Sequence, residues 1–413
     1  MLSVNEAKKI ILEFQKVGDP VVTGLAGAVG QILAKQVYSQ TNLPIFDSSA
    51  MDGYALRSEE TQTATTVCPV SFAIAEEIWA GKNPEREVQS GECARIMTGA
   101  KMPHGANAVV IKEKVTVQND HLIVSSPVTI FENVRHSGEE IKIGEVLFPV
   151  GTHLNPAAIG ALAGAGVTEV WVYPKPRVAV ISTGSELVTP GTILSGAQIY
   201  ESNSFALRAA LEVIGCEVNV LPPVKDDPAA LKNLIIDALS KSTHVVMSGG
   251  VSVGDYDFNR QVLAELQVEE VFWKVAQKPG KPLFFDRHGE TLVFGLPGNP
   301  ASALTCFYEY VRPALQKYSG DIDTRKTKEF HSHRRDIRAK LKCEMIKPAG
   351  MTHFIRGRLS LMDGILNVEP LKKQQSHMMV SLALSDCLIV LPQEGELFPV
   401  GTEVEVKFWQ GWR

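Results

Sequence analysis

The stretch that decides the fold runs from His244 to Pro300: HVVMSGGVSVGDYDFNR (244–260), EEVFWKVAQKPGKPLFF (269–285) and TLVFGLPGNP (291–300). Three apolar runs, His244–Met247, Val271–Val275 and Leu292–Phe294, each end in a polar turn rich in glycine or proline. Runs bounded in this way and separated by helical patterns read as buried strands of a parallel sheet. Open α/β sheets bind ligands in the crevice beyond the carboxyl ends of their strands. The turns expected there are Ser248–Asp257, Lys278–Pro282 and Leu296–Pro300. The first offers the backbone donors of Gly249, Gly250 and Ser252 with two carboxylates, Asp255 and Asp257. The second offers Lys278 and Lys281, and the third a turn fixed by Pro297 and Pro300. Glycines let backbone N–H groups approach an anion, lysines neutralise it, and carboxylates hold a hard cation that bridges its oxygens. The chemistry points to a phosphate-bearing anion with Mg²⁺. Any one of these turns alone is an ordinary strand-to-helix connection; three in succession with complementary chemistry favour a site.

Working outward, RVAVISTGSEL (177–187) is a buried strand that ends at Thr183, Gly184, Ser185 and Glu186. SFALRAALEVIG is a helix for which Asn203 is a candidate cap, and EVNVLPPVKDD is a strand ending in Asp226 and Asp227. PAALKNLIIDALS is a helix with Pro228 in its first turn, and ASALTCFYEYVRPALQKY closes the unit. The result is a doubly wound α/β domain over about 175–320. It carries neither a G-x-G-x-x-G after its first strand nor a P-loop.

The N-terminus reads as an amphipathic helix over 3–15, with Ser3 and Glu6 as a capping box and Val4, Ala7, Ile10, Ile11 and Phe14 on one face. A second helical pattern covers Gly27–Ala34. Residues 156–173, rich in Ala and Gly, read as a helix followed by the strand EVWVYP. Between them, 44–141 alternate apolar and polar residues with glycine and proline turns, which describes an inserted β-rich module. After a charged linker, 321–413 carry short strands at near-regular spacing, suggesting a small barrel or sandwich. GEVLFPVGTHL (144–154) echoes GELFPVGTEVEV (395–406), either as a weak repeat or as one shared turn recipe.

At 413 residues the chain exceeds a single core, and size alone suggests about three domains. A formal net charge of −5 argues against a broad nucleic-acid surface, so any anion site is local. Six scattered cysteines without a CxxC pair argue against structural zinc and a disulfide framework. No apolar run reaches membrane-spanning length and no signal-peptide pattern opens the chain, so the cytoplasm is the expected compartment.

Seven stretches, FDSSAMDGYA (46–55), IMTGAKMPHGANAVV (96–110), NVRHSGEEIK (133–142), STGSELV (182–188), SGGVSVGDYD (248–257), KPGKP (278–282) and LPGNPASA (296–303), resemble in order and spacing the molybdopterin molybdenumtransferases. That family includes bacterial MoeA and the E domain of gephyrin. The resemblance implies a multidomain α/β and β fold. An elongated helical domain takes 1–43 plus 142–174, and a β-rich domain 44–141 is inserted in it. An α/β molybdopterin-binding domain takes 175–320, and a C-terminal β-barrel 321–413. It implies a homodimer with sites between subunits, and it leaves open whether a molybdopterin adenylyltransferase hands over the substrate. The implied reaction takes adenylylated molybdopterin, molybdate and Mg²⁺, cleaves off the adenylate, and leaves molybdenum on the dithiolene as molybdenum cofactor. A pyrophosphate-bearing substrate suits carboxylates with Mg²⁺, and a tetrahedral dianion suits lysine, arginine and hydroxyl donors.

Carried over residue by residue, the resemblance makes Asp52 the carboxylate of the MDGY motif and Thr98 the threonine of MTGA. Glu186, Asp226 and Asp257 match acidic positions around pterin and metal. Lys274, Lys278, Lys281, Pro297, Pro300 and Ser302 match positions lining the phosphate and molybdate pocket. Arg356 and Ser376 match the C-terminal contribution to molybdate. Glu140 stands where the GEDI motif has aspartate, keeping the charge with one more methylene, and joins Glu186, Asp226 and Asp257 as a candidate Mg²⁺ ligand. Ser185, Ser48 and Asn107 also replace more usual family residues. The related readings are adenylylation of molybdopterin from ATP and a scaffold that binds receptor tails.

Overall fold

The computed structural model describes residues 1–224, 227–250, 258–321 and 337–408 and divides the chain into two units, Met1–Val21 with Tyr173–Arg413, and Val22–Val172. The first is built on a six-stranded sheet. In chain order the strands are β1 (Arg177–Ser182), β2 (Glu217–Val220), β3 (His244–Ser248) and β4 (Glu269–Trp273); a short β5 (Gln277–Lys278) precedes β6 (Phe284–His288) and β7 (Thr291–Leu296). The spatial order is β2-β1-β3-β7-β6-β4. Strands β2, β1, β3 and β7 are parallel, while β6 runs antiparallel to both β7 and β4.

The helices are α1 (Val4–Phe14), α2 (Asn203–Val213), α3 (Pro228–Lys241), α4 (Phe258–Glu265), α5 (Pro300–Cys306) and α6 (Arg312–Tyr318). Along β1, Val178 and Val180 pack into one core with α1, α2, α5 and α6, while Ala179 and Ile181 pack into another with α3 and α4. Burial on both faces is why this strand reads as a continuous apolar run.

Two expectations change here. The run expected as a parallel strand at Val271–Val275 stops at Trp273, and its hydrogen-bonded neighbour is the antiparallel β6, formed by the phenylalanines that close the KPGKPLFF stretch. Asn203 does not cap α2: Ser202 holds that position, and the Asn203 side chain reaches to strand ends. Met1–Val21 groups by contact with Tyr173–Arg413, because α1 buries Val4, Ala7 and Ile11 against the α/β sheet. Its Ser3–Glu6 capping box forms as expected.

In the C-terminal region β8 (Ile337–Leu341), β9 (Thr352–Met362), β10 (Ile365–Pro370), β11 (Cys387–Leu391) and β12 (Glu403–Lys407) close into a five-stranded barrel in the order β9-β10-β8-β12-β11, with β11 pairing back to β9. Its interior holds Ala339, Leu341, Val368, Ile389, Leu391, Val404 and Val406. Strand β5 lies parallel to the start of β9, matching Gln277 to Thr352 and Lys278 to His353. A buried carboxylate, Glu309, meets Lys8 of α1 at 3.0 Å and Lys407 of β12 at 2.7 Å, so three elements share one ion cluster.

The unit Val22–Val172 contains a mixed six-stranded sheet in the order Ala108–Ile111, Gly53–Leu56, Glu92–Ile96, Val70–Ile78, His121–Val124, Thr116–Gln118. A second core in this unit joins Leu33, Leu154, Ala158, Leu162, Val170 and Val172. The helix expected over Gly27–Ala34 shortens to Leu25–Ala28: Gly30 takes φ +78°, and Ile32 and Leu33 pair instead with His153 and Val172. Pro156–Gly164 is helical as expected, capped by Asn155, whose Oδ1 accepts the Ala158 N–H at 2.8 Å.

Candidate functional site

Three strands of the α/β sheet end at one level, because Ser182 of β1 is in register with Ser248 of β3, which is in register with Leu296 of β7. Their exits are stitched together: the Thr183 N–H donates to Ser248 O at 3.0 Å and the Gly249 N–H to Leu296 O at 3.2 Å. Gly249 and Gly250 take φ of +90° and +60°. A Cβ on Gly249 would sit 2.4 Å from Thr183 O, and one on Gly250 2.3 Å from Asn259 Nδ2. Only glycine serves at these two positions. Asn259 of α4, 2% exposed, donates to Gly249 O at 2.8 Å. From α2, Asn203 Nδ2 donates to Ser248 Oγ and to Gly298 O, both at 2.8 Å. Asn203 and Asn259 hold the edge from outside the motifs; an asparagine at a helix start looks like a cap in sequence, and that hid Asn203.

The other turns meet the same unit. Pro297 is buried, Pro300 opens α5, and Ser302 is 3% exposed. The Ala301 N–H at the start of α5 donates to Ser376 O at 3.0 Å, so Ser376 and the Leu296–Pro300 turn are adjacent. Arg356 is 4% exposed. It directs its guanidinium at Met378 O (2.9 Å), Gln375 O (3.1 Å) and Gln374 Oε1 (3.2 Å). Its contacts therefore order the loop that carries Ser376. Lys278 and Lys281 are exposed, and Lys274 follows β4 with φ +71° and its Nζ 3.6 Å from the centre of the Trp273 ring. Glu186 is exposed and folds back on its own turn, with Oε2 2.7 Å from where a Gly184 Cβ would be. Asp227 is a helix cap, accepting the N–H groups of Ala229 and Ala230 at 2.9 and 3.3 Å.

Asp226, Ser252, Asp255 and Asp257 lie outside the described residues. Among the described residues no three His, Cys, Asp or Glu side chains come together as a metal shell. Of the candidate Mg²⁺ ligands, Glu186 is the one described in its unit, and Asp226 and Asp257, which would complete the set there, are not described.

The unit Val22–Val172 gathers the remaining motifs. Thr98 donates to Asp52 Oδ1 through its N–H at 2.9 Å and its hydroxyl at 2.8 Å, and Lys112 Nζ lies 3.4 Å from Oδ2. The Thr98 N–H, then its hydroxyl, and then Lys112 hold the Asp52 carboxyl below its usual range. Gly53 is required next to it, since a Cβ would sit 2.1 Å from Val110 O. The loop carrying Asp52 is gripped on two sides: the Gly99 N–H donates to Ser49 O at 2.8 Å and the Ala50 N–H to Asn133 O at 2.9 Å. Asp47 braces the HSGEE loop, accepting the Ser137 N–H at 2.8 Å with the His136 ring 3.3 Å away. Glu140, in that loop, is exposed, and its N–H donates to Leu43 O at 3.0 Å.

Glycine-built strand exits, two exposed lysines and a neighbouring barrel loop belong to a multidomain protein that joins an α/β sheet to a closed five-stranded barrel. The patterns of three family regions match in order: the MoeA N-terminal region (domain I and II) over 2–166, a probable molybdopterin binding domain over 179–317, and the MoeA C-terminal region (domain IV) over 338–409. Two relatives named molybdopterin molybdenumtransferase, from Haemophilus influenzae and Staphylococcus aureus, are 36% and 33% identical, covering 98% of this chain and 98% and 95% of their own. A crystal structure of a molybdopterin biosynthesis moea protein from Pyrococcus horikosii superposes with a TM-score of 0.80 at 32% identity, over 100% of both chains. The chain belongs to the molybdopterin molybdenumtransferase family.

Proposed function

We propose that this protein inserts molybdenum into molybdopterin, and that its substrate is the adenylylated form, cleaved with Mg²⁺ to release AMP. The observation that carries the reading is the level ending of β1, β3 and β7 at a turn where Gly249 and Gly250 admit no side chain. Such an edge accepts the phosphates of a nucleotide-bearing substrate on backbone donors. Lys278 and Lys281 suit the molybdate dianion, and Asp52, kept ionised by Thr98, suits work on a charged transition state. Mg²⁺ would neutralise the pyrophosphate being broken.

The relatives' names support the coarser part of this reading, and the site chemistry supports the finer part. The test offers purified protein either adenylylated molybdopterin with molybdate and Mg²⁺, or unmodified molybdopterin with ATP. AMP release and cofactor formation with the first pair support the proposal. Turnover of the second pair alone assigns the adenylylation step instead.

We also propose a cytoplasmic homodimer in which the Asp52 cluster of one subunit serves the α/β edge of the other, with substrate handed over by an adenylyltransferase. Mixing inactive Asp52→Asn and Lys278→Ala proteins then restores part of the activity; mixed dimers that stay inactive overturn it.

A further inference from the structure

The Lys278–Lys281 turn is held from behind by a side chain that the reaction chemistry alone does not call for. Gln277 is fully buried, and its Nε2 donates to Pro279 O and to Gly280 O, each at 3.1 Å. Its Oε1 accepts the hydroxyl of Tyr310, which is 1% exposed and sits in the π turn Phe307–Val311 between α5 and α6. π turns recur at functional sites. Cys306, also buried, closes the third side with Sγ 3.3 Å from Gln277 Nε2. Gly280 has φ +94°, and a Cβ there would lie 2.5 Å from Cys306 Sγ and 2.6 Å from Gln277 Nε2, so the turn is pressed against this group without room for a side chain.

The Pro279–Gly280 and Gly280–Lys281 peptides are trans. In a planar trans peptide the C=O and N–H point in opposite directions. With both carbonyls drawn toward Gln277, the N–H groups of Gly280, a buried residue, and of Lys281, an exposed one, point away from it. Neither makes a hydrogen bond among the described residues. Two successive unbonded amides turned away from Gln277 and flanked by the exposed Lys278 and Lys281 are the donor set of an anion-binding nest.

We infer that Gln277, anchored by Tyr310, is a positioning residue that turns the Gly280 and Lys281 amides into donors for a tetrahedral oxyanion. The inference deepens the function proposed above and rests on it, with molybdate as the oxyanion. Gln277 touches no substrate and acts only through the turn.

The experiment uses the full-length protein, with molybdate as the probe in calorimetry and in the AMP-release assay. Gln277→Leu keeps the side-chain volume and removes the donor. It raises the molybdate Kd and KM about tenfold, near the worth of one well-made hydrogen bond to a charged group, and leaves kcat within about twofold. Tyr310→Phe leaves the amide in place without its anchor and gives a smaller rise in the same direction. In wild-type protein labelled with ¹⁵N at glycine and lysine, the Gly280 and Lys281 amide signals shift on titration with molybdate, which a purely structural role for Gln277 would not produce. Unchanged molybdate affinity in a folded Gln277→Leu or Tyr310→Phe protein overturns the inference. So do Gly280 and Lys281 amides that ignore molybdate. A wild-type protein that releases no AMP from adenylylated molybdopterin would instead overturn the proposed function, so the two failures are told apart.

Discussion

Thr98 donates twice to the same carboxylate oxygen of Asp52, by its N–H at 2.9 Å and its hydroxyl at 2.8 Å, which leaves Oδ2 turned toward Lys112 and the surface. The pairing keeps Asp52 ionised and fixes its orientation. Thr98→Val removes one of the two donors, so the Asp52 pKa rises toward its ordinary value. The acid limb of the pH profile of kcat/KM therefore moves to higher pH, with the plateau near neutral pH largely kept. Asp52→Asn loses the charge itself and lowers kcat by about 100-fold or more. An unmoved acid limb in Thr98→Val separates Asp52 from the rate.

Gly250 cannot accept a side chain without displacing Asn259, whose amide would lie 2.3 Å from the new Cβ. Gly250→Ala adds the strain of a left-handed residue, about 1 to 3 kcal/mol, and pushes the turn off the strand exits. We expect substrate binding to fall more than stability. Calorimetry of adenylylated molybdopterin together with a thermal melt reads both, and unchanged affinity would remove the turn from the site.

His244 is fully buried, with its ring nitrogens 2.8 Å from Gln15 Oε1 and from Thr243 Oγ1, and burial pushes its pKa down to about 3. An imidazole whose folded pKa lies below its ordinary 6.5 binds its proton more readily when unfolded. Stability is therefore complete above about pH 6.5 and drains as pH falls toward 3. At pH 5 the loss is on the order of 2 kcal/mol. Melting curves from pH 7 to 5 should show a falling Tm in the wild type. The fall is shallower in His244→Gln, which starts lower but has no proton to gain there.

Glu309 tests the joint between α1, the π turn and β12. Burial opposes its charge, but Lys8 and Lys407 outweigh burial and hold its pKa at about 2. Its contribution is present above about pH 4.5 and is lost as pH falls toward 2, below the window read by His244. Glu309→Ala leaves two ammonium groups without their partner and costs about 3 to 5 kcal/mol. Denaturant melts at pH 7 check this; a loss below about 1 kcal/mol would mean that water already screens the cluster.

Much of the α/β unit was legible because strands buried on two faces leave unbroken apolar runs, as Val178–Ser182 and His244–Met247 do. Strand β6 was not, since its phenylalanines follow a proline turn directly and read as the end of it. The matching PVGT segments proved to share a turn: Thr152 Oγ1 donates to Pro149 O at 2.8 Å and Thr402 Oγ1 to Pro399 O at 2.7 Å. Motif residues such as Asp52, Lys278 and Gly249 stand out by their chemistry. Asn203, Asn259 and Gln277 act through contacts with residues 10 to 95 positions away or through their own turn, and spacing alone carries no mark of that. Arg356 also ties down the loop of Ser376, through contacts that its place in the sequence does not mark.

The measurement closest to the central claim is a single-turnover reaction of the purified protein with adenylylated molybdopterin and molybdate, with and without Mg²⁺, scoring AMP and the molybdenum retained on the pterin together. The account predicts that both products appear in equal amounts, only with Mg²⁺, and that both vanish in Asp52→Asn. Molybdenum transfer without AMP release, or equal yields from the Asp52→Asn protein, would contradict it.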